Sequence, residues 1–390
     1  MKKIPYGRQH IDSQDIRLVS KALKQDLITT GDYVKKFENK TSKLLGAKYT
    51  LSCNSGTSGL HLALVSIDFK KDDVIIMPVI NFIAIYNMAK LMKAKIFLAD
   101  VDSVTGQMTP KTLLECIKKN KLKKIKAIVT MYLGGYPENV IEFYRVKKKF
   151  NCYLIEDACH ALGAKYIYKK KNIYIGSCKH SDIAVFSMHP VKSITSGEGG
   201  FFTTNNKKIY QKAKLFRSHG LKQGKNHWNY EIICNGFNYR LSDINCALAL
   251  SQFKKLKKFI FLRKKKYLLY KKALSDLNVY FSIPSYNKNI KPSYHLFLIN
   301  LNLKNNFFKK NTFFKKMLKN KIIVQYHYKP IFFFKKVYDV RLVKNSFIGA
   351  IKYYKSTLSI PIFPFLSSNK QYYIIEVIRK IFFNQKLSRN

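Results

Sequence analysis

The stretch IAVFSMHPVKSITSGEGGFFTT, residues 183–204, holds two short apolar runs around a loop of small, hydroxyl and glycine residues. The runs 183–187 and 200–204 read as strands. Between them lies one lysine, Lys192, and Gly197, Gly199 and Gly200 let the backbone approach a ligand closely. Working outward, residues 152–156 form another apolar strand, closed by Asp157, with His160 three positions on. Residues 126–131 are a strand and 140–150 a helix. The same alternation runs back towards the N-terminus: strands over 47–53, 73–77 and 96–100, with helices over 58–67, 82–91 and 110–119. A first helix is read over 12–26 from Ile16, Val19 and Leu23, with Asp12 or Ser13 as its N-cap. Short apolar strands alternating with helices predict a mostly parallel sheet covered on both faces.

The pattern changes near residue 245. Residues 245–274 read as one long helix with lysines crowded on one side. Strands over 295–301 and 322–327 and helices over 307–318 and 369–382 predict a smaller α+β unit, with a Lys- and Asn-rich loop near 287–291. Two domains are therefore expected, a large one over 1–245 and a smaller one over 246–390, as suits a chain of 390 residues.

The formal net charge of +50 invites a nucleic-acid reading. Its make-up argues otherwise: 63 lysines stand against 9 arginines, whereas base and phosphate readers recruit Arg for bidentate contacts. Abundant Lys, Ile, Phe, Tyr and Asn together point to compositional bias filling solvated faces, and no specific nucleic-acid partner is expected. The seven cysteines show no paired spacing and no Cys/His metal cluster, so reduced thiols and no metal are expected. With neither a signal peptide nor a membrane span legible, the expected location is the cytoplasm.

The chemistry-bearing residues fit one requirement. An enzyme of pyridoxal phosphate needs an amine, a carboxylate for the ring nitrogen, a partner for the ring face and a cup for the phosphate. Lys192 supplies the amine, and apolar crowding would free it of its proton more easily. Asp157 stands at the carboxyl edge of a strand, where ligands bind in α/β sheets. Taken alone it reads equally well as a helix N-cap. His160 can lie over the ring face, although alone it reads as a structural histidine. Ser55, Gly56 and Thr57 join a strand to a helix and form an anion cup. Ser187 adds a hydroxyl, and Phe82 can stack on the opposite ring face or simply pack in the core.

Together these segments resemble the DegT/StrS-type family of PLP-dependent nucleotide-sugar aminotransferases. The likeness covers almost the whole chain: ITTG (28–31), NSGTSGLHLAL (54–64), residues 78–84, EDACHALGA (156–164), FSMHPVKSITSGEGG (186–200), FRSHG (216–220), NYRLSDINCALALSQ (238–252) and VQYHYKPI (324–331). The resemblance implies the aspartate aminotransferase-like fold (PLP fold type I), pyridoxal 5'-phosphate as cofactor, and amino transfer from glutamate to a keto sugar nucleotide. It implies that Lys192 is the Schiff-base lysine, Asp157 the pyridinium partner and His160 the ring-stacking residue. Ser55, Gly56, Thr57 and Ser187 match the phosphate group. Asn238 resembles an asparagine that reaches the phosphate held by a neighbouring subunit, which implies a homodimer with shared active sites. Family relatives without the lysine act as dehydratases, so Lys192 favours transamination.

Within the family the likeness is nearest to members acting on a UDP-linked 4-keto-6-deoxy-N-acetylhexosamine, on Tyr6 to Asp12, FSMHPVK and HYKPI. By it, Tyr6, Thr29, Thr30, Gly31, His327, Tyr328, Lys329 and Pro330 would contact the sugar nucleotide or shape its pocket. A UDP-4-keto-pentose or a dTDP-keto-hexose stays open as substrate. Where the family often has Gly, this chain has Lys321, and Asn320 is expected to take the left-handed turn instead.

Overall fold

The computed structural model describes residues 3–226, 228–302, 310–337 and 346–383. In its first part, α1 (Ser13–Leu23) and α2 (Asp32–Leu45) lead into β1 (Tyr49–Cys53), α3 (Gly56–Ser66), β2 (Val74–Pro78) and α4 (Ala84–Leu91). There follow β3 (Lys95–Ala99), α5 (Pro110–Lys119), β4 (Ala127–Met131), α6 (Val140–Phe150) and β5 (Tyr153–Asp157). The hairpin β6 (Lys165–Tyr168) and β7 (Lys171–Tyr174) precedes β8 (Ile183–Ser187), β9 (Gly200–Thr204) and α7 (Lys207–Arg217). A second hairpin, β10 (Leu221–Gln223) and β11 (Tyr230–Ile232), leads to the 31-residue α8 (Asp243–Ala273). The chain closes with β12 (Phe281–Ser282), β13 (Ile290–Lys291), β14 (Phe297–Leu301), α9 (Lys310–Lys319), α10 (Ile348–Ser356), β15 (Thr357–Ile360) and α11 (Ser368–Phe383).

The main sheet has the order β1-β9-β8-β5-β4-β2-β3. Neighbours from β3 to β8 pair in parallel, whereas β9 runs antiparallel to both β8 and β1. Every residue of β4 is buried, as a parallel strand covered on both faces requires. Register sets the functional edge. Asp157 pairs with Met131 and Val185, while Gly200 pairs with both Ser187 and Cys53. The carboxyl ends of β1, β5 and β8 therefore meet at one rim, which is where open α/β sheets bind ligands.

A three-stranded sheet, β12-β14-β15, with α9 and α11 surrounds a second core. Helix α8 serves both: Cys246, Leu250 and Phe253 pack near the main sheet, and Tyr267, Tyr270 and Leu274 join the second core. Among the described residues no helix is long and apolar enough to cross a membrane.

Several expectations need correction. Helix α2 was not anticipated, although Val34, Phe37, Thr41 and Leu45 are buried along one face and Gly46 ends it in the left-handed conformation. Its start lacks a side-chain cap of its own; Asp243 of α8 accepts from the Tyr33 and Val34 N–H groups instead, at 2.7 and 3.2 Å. Residues 322–327 do not form a strand. Ile322 bridges Ile4 and Gln325 bridges Ser359, so the segment divides its pairing between two partners. Residues 307–309 of the expected helix lie outside the described residues, and α9 begins at Lys310. Of the two candidate caps for α1, Asp12 is the one used.

The turn after α9 also differs, because Lys321 and not Asn320 takes positive φ, at 57°. Ile322 N–H donates to Met317 O and Lys321 N–H to Leu318 O, at 3.0 and 2.8 Å. This is the paired bonding of a Schellman end, and it places the left-handed residue at 321. A non-glycine residue there costs roughly 1–2 kcal/mol. Lys321→Gly is expected to stabilise the fold by up to about 1 kcal/mol, read as a higher urea midpoint; an unchanged or lower midpoint would contradict it.

Candidate active site

A cavity of about 640 Å³ opens at the carboxyl rim of the main sheet. Ser55, Gly56, Thr57, Phe82, Asp157, His160, Ser187 and Lys192 all line it. So do Tyr6, His327, Tyr328 and Lys329. Thr29, Thr30, Gly31, Asn238 and Pro330 are not on its wall. Thr29, Thr30 and Asn238 are exposed elsewhere, and the buried Gly31 donates its N–H to Asp243 at the start of α8.

The cup comes from β1 and α3. Ser55 caps the helix, accepting from Ser58 N–H at 3.1 Å, and the two hydroxyls lie 3.0 Å apart. The first helical turn leaves the N–H groups of Gly56 and Thr57 without an intrahelical acceptor, at the positive end of the helix dipole. Close packing shapes the cup. A Cβ on Gly200 would stand 2.6 Å from the Ser55 carbonyl and 2.7 Å from Gly56 N, so only glycine lets β9 lie against it.

Lys192 is set by a turn. Its N–H donates to His189 O at 2.9 Å, with Pro190 at the second position that fixed φ favours. Met188 accepts from Ser196 N–H and donates to Gly199 O, which closes the loop's base. The side chain is partly exposed, through the cavity it lines. Burial pushes its ammonium below the ordinary lysine range, opposed by the nearby Cys159 and Asp157. The result is an amine with more free base at neutral pH than a surface lysine has.

Asp157 ends β5 almost fully buried, and burial pushes its carboxyl up against the opposing pull of Cys159 and Lys192. Its Oδ1 accepts from Cys159 N–H at 3.2 Å. A buried carboxylate with no ion-pair partner among the described residues suits a ligand that brings positive charge. His160 Nδ1 accepts from Gly134 N–H at 3.3 Å, and Nε2 is 2.9 Å from the Tyr328 hydroxyl. An accepting Nδ1 places the proton on Nε2, so the ring is neutral and Tyr328 Oη accepts. Burial first, then the charge of Lys192, keeps it well below its ordinary range. Phe82, 53% exposed, faces the Tyr328 ring with 5.7 Å between centroids.

Sequence reading missed Asn81 and His295 on this wall. Both amide atoms of Asn81 are buried without a hydrogen-bond partner among the described residues. The His295 ring lies 4.3 Å from that of His160. Within PVINF and SYHLFLIN, residues 78–82 and 293–300, each reads as a strand or turn residue, and only folding brings it to the rim.

An amine, a buried carboxylate, a neutral histidine and an anion cup thus surround one cavity, and the donor set fits pyridoxal phosphate. Comparison with known proteins agrees. The chain matches the DegT/DnrJ/EryC1/StrS aminotransferase family over residues 9–379. It is 38% identical over 361 residues to the UDP-4-amino-4,6-dideoxy-N-acetyl-beta-L-altrosamine transaminase of Campylobacter jejuni, covering 92% of each chain. Helicobacter pylori PseC, described as an aminotransferase involved in the biosynthesis of pseudoaminic acid, is 29% identical with a TM-score of 0.88. That match covers 98% of this chain and 100% of the other. A Streptococcus pneumoniae protein solved in its PLP form shares the fold at 22% identity and a TM-score of 0.88, over 98% and 99% of the two chains.

Proposed function

The chain belongs to the DegT/DnrJ/EryC1/StrS aminotransferase family and is a PLP-dependent transaminase, and on that premise we propose the substrate and the residue roles. The reading is amino transfer from glutamate to a UDP-linked 4-keto-6-deoxy-N-acetylhexosamine, the keto form of a sugar used in pseudaminic acid biosynthesis. The observation that carries it is the gathering of Lys192, Asp157, His160 and the α3 N-terminus around one cavity. The 38% identity to the Campylobacter jejuni enzyme supports this sugar over others.

When bound, pyridoxal phosphate supplies an aldehyde that takes up the amino group and a ring that draws electrons from the substrate carbon. Gly56 and Thr57 N–H groups, with the Thr57 and Ser187 hydroxyls, hold the phosphate. Asp157 answers the positive ring nitrogen with a charge that burial makes costly to leave alone. His160, kept neutral by burial and by the Gly134 N–H that its Nδ1 accepts, would pack on one ring face, and Phe82 would cover the other side. Lys192 Nζ, whose hold on its proton burial weakens, takes and returns the proton at the donor's α-carbon. Tyr6, His327, Tyr328 and Lys329 shape the sugar end, and Lys329 offers a cation to the diphosphate.

We read the enzyme as a homodimer. Thr29, Thr30 and Asn238 are solvent-exposed in the single chain, and so are Tyr230, Ile232 and Ile233 beside Asn238. A second copy would cover that apolar hairpin and receive Asn238 at its own phosphate cup. The division into a large unit up to about residue 245 and a smaller C-terminal one belongs to the same reading.

The test is product mass from purified enzyme, PLP, glutamate and a panel of keto sugar nucleotides. The UDP-linked 4-keto-6-deoxy-N-acetylhexosamine is expected to show kcat/KM at least about 10-fold above a UDP-4-keto-pentose or a dTDP-keto-hexose. Faster turnover of either rival would overturn the substrate assignment.

A further inference from the structure

Arg263 lies midway along α8 and is 1% exposed. Lysine outnumbers arginine 63 to 9 in this chain, and Lys264, Lys265 and Lys266 follow directly, yet the most deeply buried cation among the described residues is an arginine. No carboxylate pairs with it among the described residues. Its donors go to backbone carbonyls: Nη1 to Ile362 O at 2.9 Å and His295 O at 3.2 Å, and Nη2 to Lys192 O at 3.5 Å. The three carbonyls belong to three separate segments: the loop after β8, the approach to β14 and the exit from β15. A rigid planar fork reaches all three from two nitrogens fixed in one plane, whereas an ammonium would have to serve them from a single nitrogen on a flexible stem.

The arrangement is costly for the fold. A guanidinium buried without a counter-ion loses its hydration and gains only neutral acceptors, and its Nε finds no partner among the described residues. Packing alone would be served by an apolar side chain of the same length. What the charge and the fork do provide is control over two cavity residues, since Lys192 and His295 both line the wall and the His295 ring abuts His160.

We propose that Arg263 is a positioning residue for the transamination, fixing the Lys192 and His295 carbonyls and so setting where Lys192 Nζ and the His160–His295 pair stand. The inference rests on the reading of Lys192 as the amine that moves the proton. A second effect follows from its charge. His160 is faced by Lys192, His295, His327, Tyr328 and Arg263, with Asp157 at the adjoining strand end. Beyond burial, the cations among these disfavour its protonation, and Arg263 acts likewise on His295. Taking the charge at 263 away raises the pKa of both rings. The pH below which the neutral histidine is lost then moves upward.

Arg263→Lys and Arg263→Met, each as PLP-loaded enzyme, test this through kcat, KM for glutamate, the pH–rate profile and Tm. Both are expected to keep the visible band of lysine-linked cofactor. In each, kcat falls about 10²-fold, the scale of a roughly 1 Å misplacement, while KM for glutamate stays within about twofold. The acid limb stays in place in R263K, which keeps the charge, and shifts to higher pH in R263M. A loss confined to Tm, with kcat and the acid limb as in the parent, overturns the proposal. Should R263M fail to fold, R263K alone decides, because parent kcat in it has the same consequence. Failure of the Lys192 reading shows separately, as a visible band that survives Lys192→Ala.

Discussion

Lys192→Ala is expected to abolish the visible band of the lysine-linked cofactor and to lower turnover by at least about 10⁴-fold. The size follows from two duties falling on one atom. Nζ both joins the cofactor and moves the proton at the donor's α-carbon, and no other group can take over the second duty. Lys329 is the other lysine on the cavity wall among the described residues, with Nζ 5.0 Å from the Phe334 ring centroid. It lacks the neighbours that mark Lys192, whose ammonium feels Asp157 and Cys159 directly. Lys329→Ala should therefore keep the band and lose affinity for the sugar nucleotide, and small primary amines should partly restore the Lys192 variant. A band that persists in Lys192→Ala and vanishes in Lys329→Ala would reverse the two roles.

The elements that build the rim were legible because local signals agree there. Parallel strands such as β4 and β5 are short runs led by apolar residues, and the helices around them start and stop on Thr109-Pro110 or Asn151. The lysine loop announced itself through its glycines, and Gly200 does allow the close approach of the α3 turn. What remained hidden depends on contacts distant in sequence. Helix α2 starts on a cap lent by Asp243, more than 200 residues away. Residues 322–327 carry a strand's composition, but they bridge Ile4 at one end and Ser359 at the other. Residue preference points to Asn320 for the left-handed turn after α9, whereas the bonding of Ile322 and Lys321 back into the helix gives that conformation to Lys321. His295 and Arg263 have no local mark at all. Each looks like an ordinary member of its strand or helix until the second core brings it against the main sheet's rim.

The same contrast explains why the charge of +50 says little about function. Lysines that replace solvated residues can accumulate without touching the rim, where the residues are buried and their chemistry specific. Compositional drift is resisted at the places where a point charge on a flexible stem cannot substitute. Arg217 is one, bonding Glu38 Oε1 and Ser52 O at 2.7 and 3.0 Å beneath the main sheet.

Asp157→Asn is expected to act in opposite directions on stability and on activity. Burial raises the Asp157 carboxyl above its ordinary value in the chain without cofactor. A carboxyl whose folded pKa exceeds its unfolded one stabilises the fold below the unfolded value, and that contribution is lost as pH rises through the folded one. At pH 7, where the unfolded chain's carboxyl is ionised, the buried group therefore burdens the cofactor-free protein. The neutral amide removes that burden, so cofactor-free Asp157→Asn should unfold at a higher urea concentration than the parent at pH 7. The gap should close as pH falls through the raised carboxyl range. Activity should move the other way, down by about 10²–10³-fold, the scale of removing one preorganised electrostatic partner. Cofactor binding should also stabilise the variant less than the parent, because the amide cannot answer the ring nitrogen's charge. Urea midpoints at two pH values, with and without PLP, separate the two effects. Full activity in the variant would remove Asp157 from the mechanism, and a lower midpoint without cofactor at pH 7 would show that the buried charge is no burden.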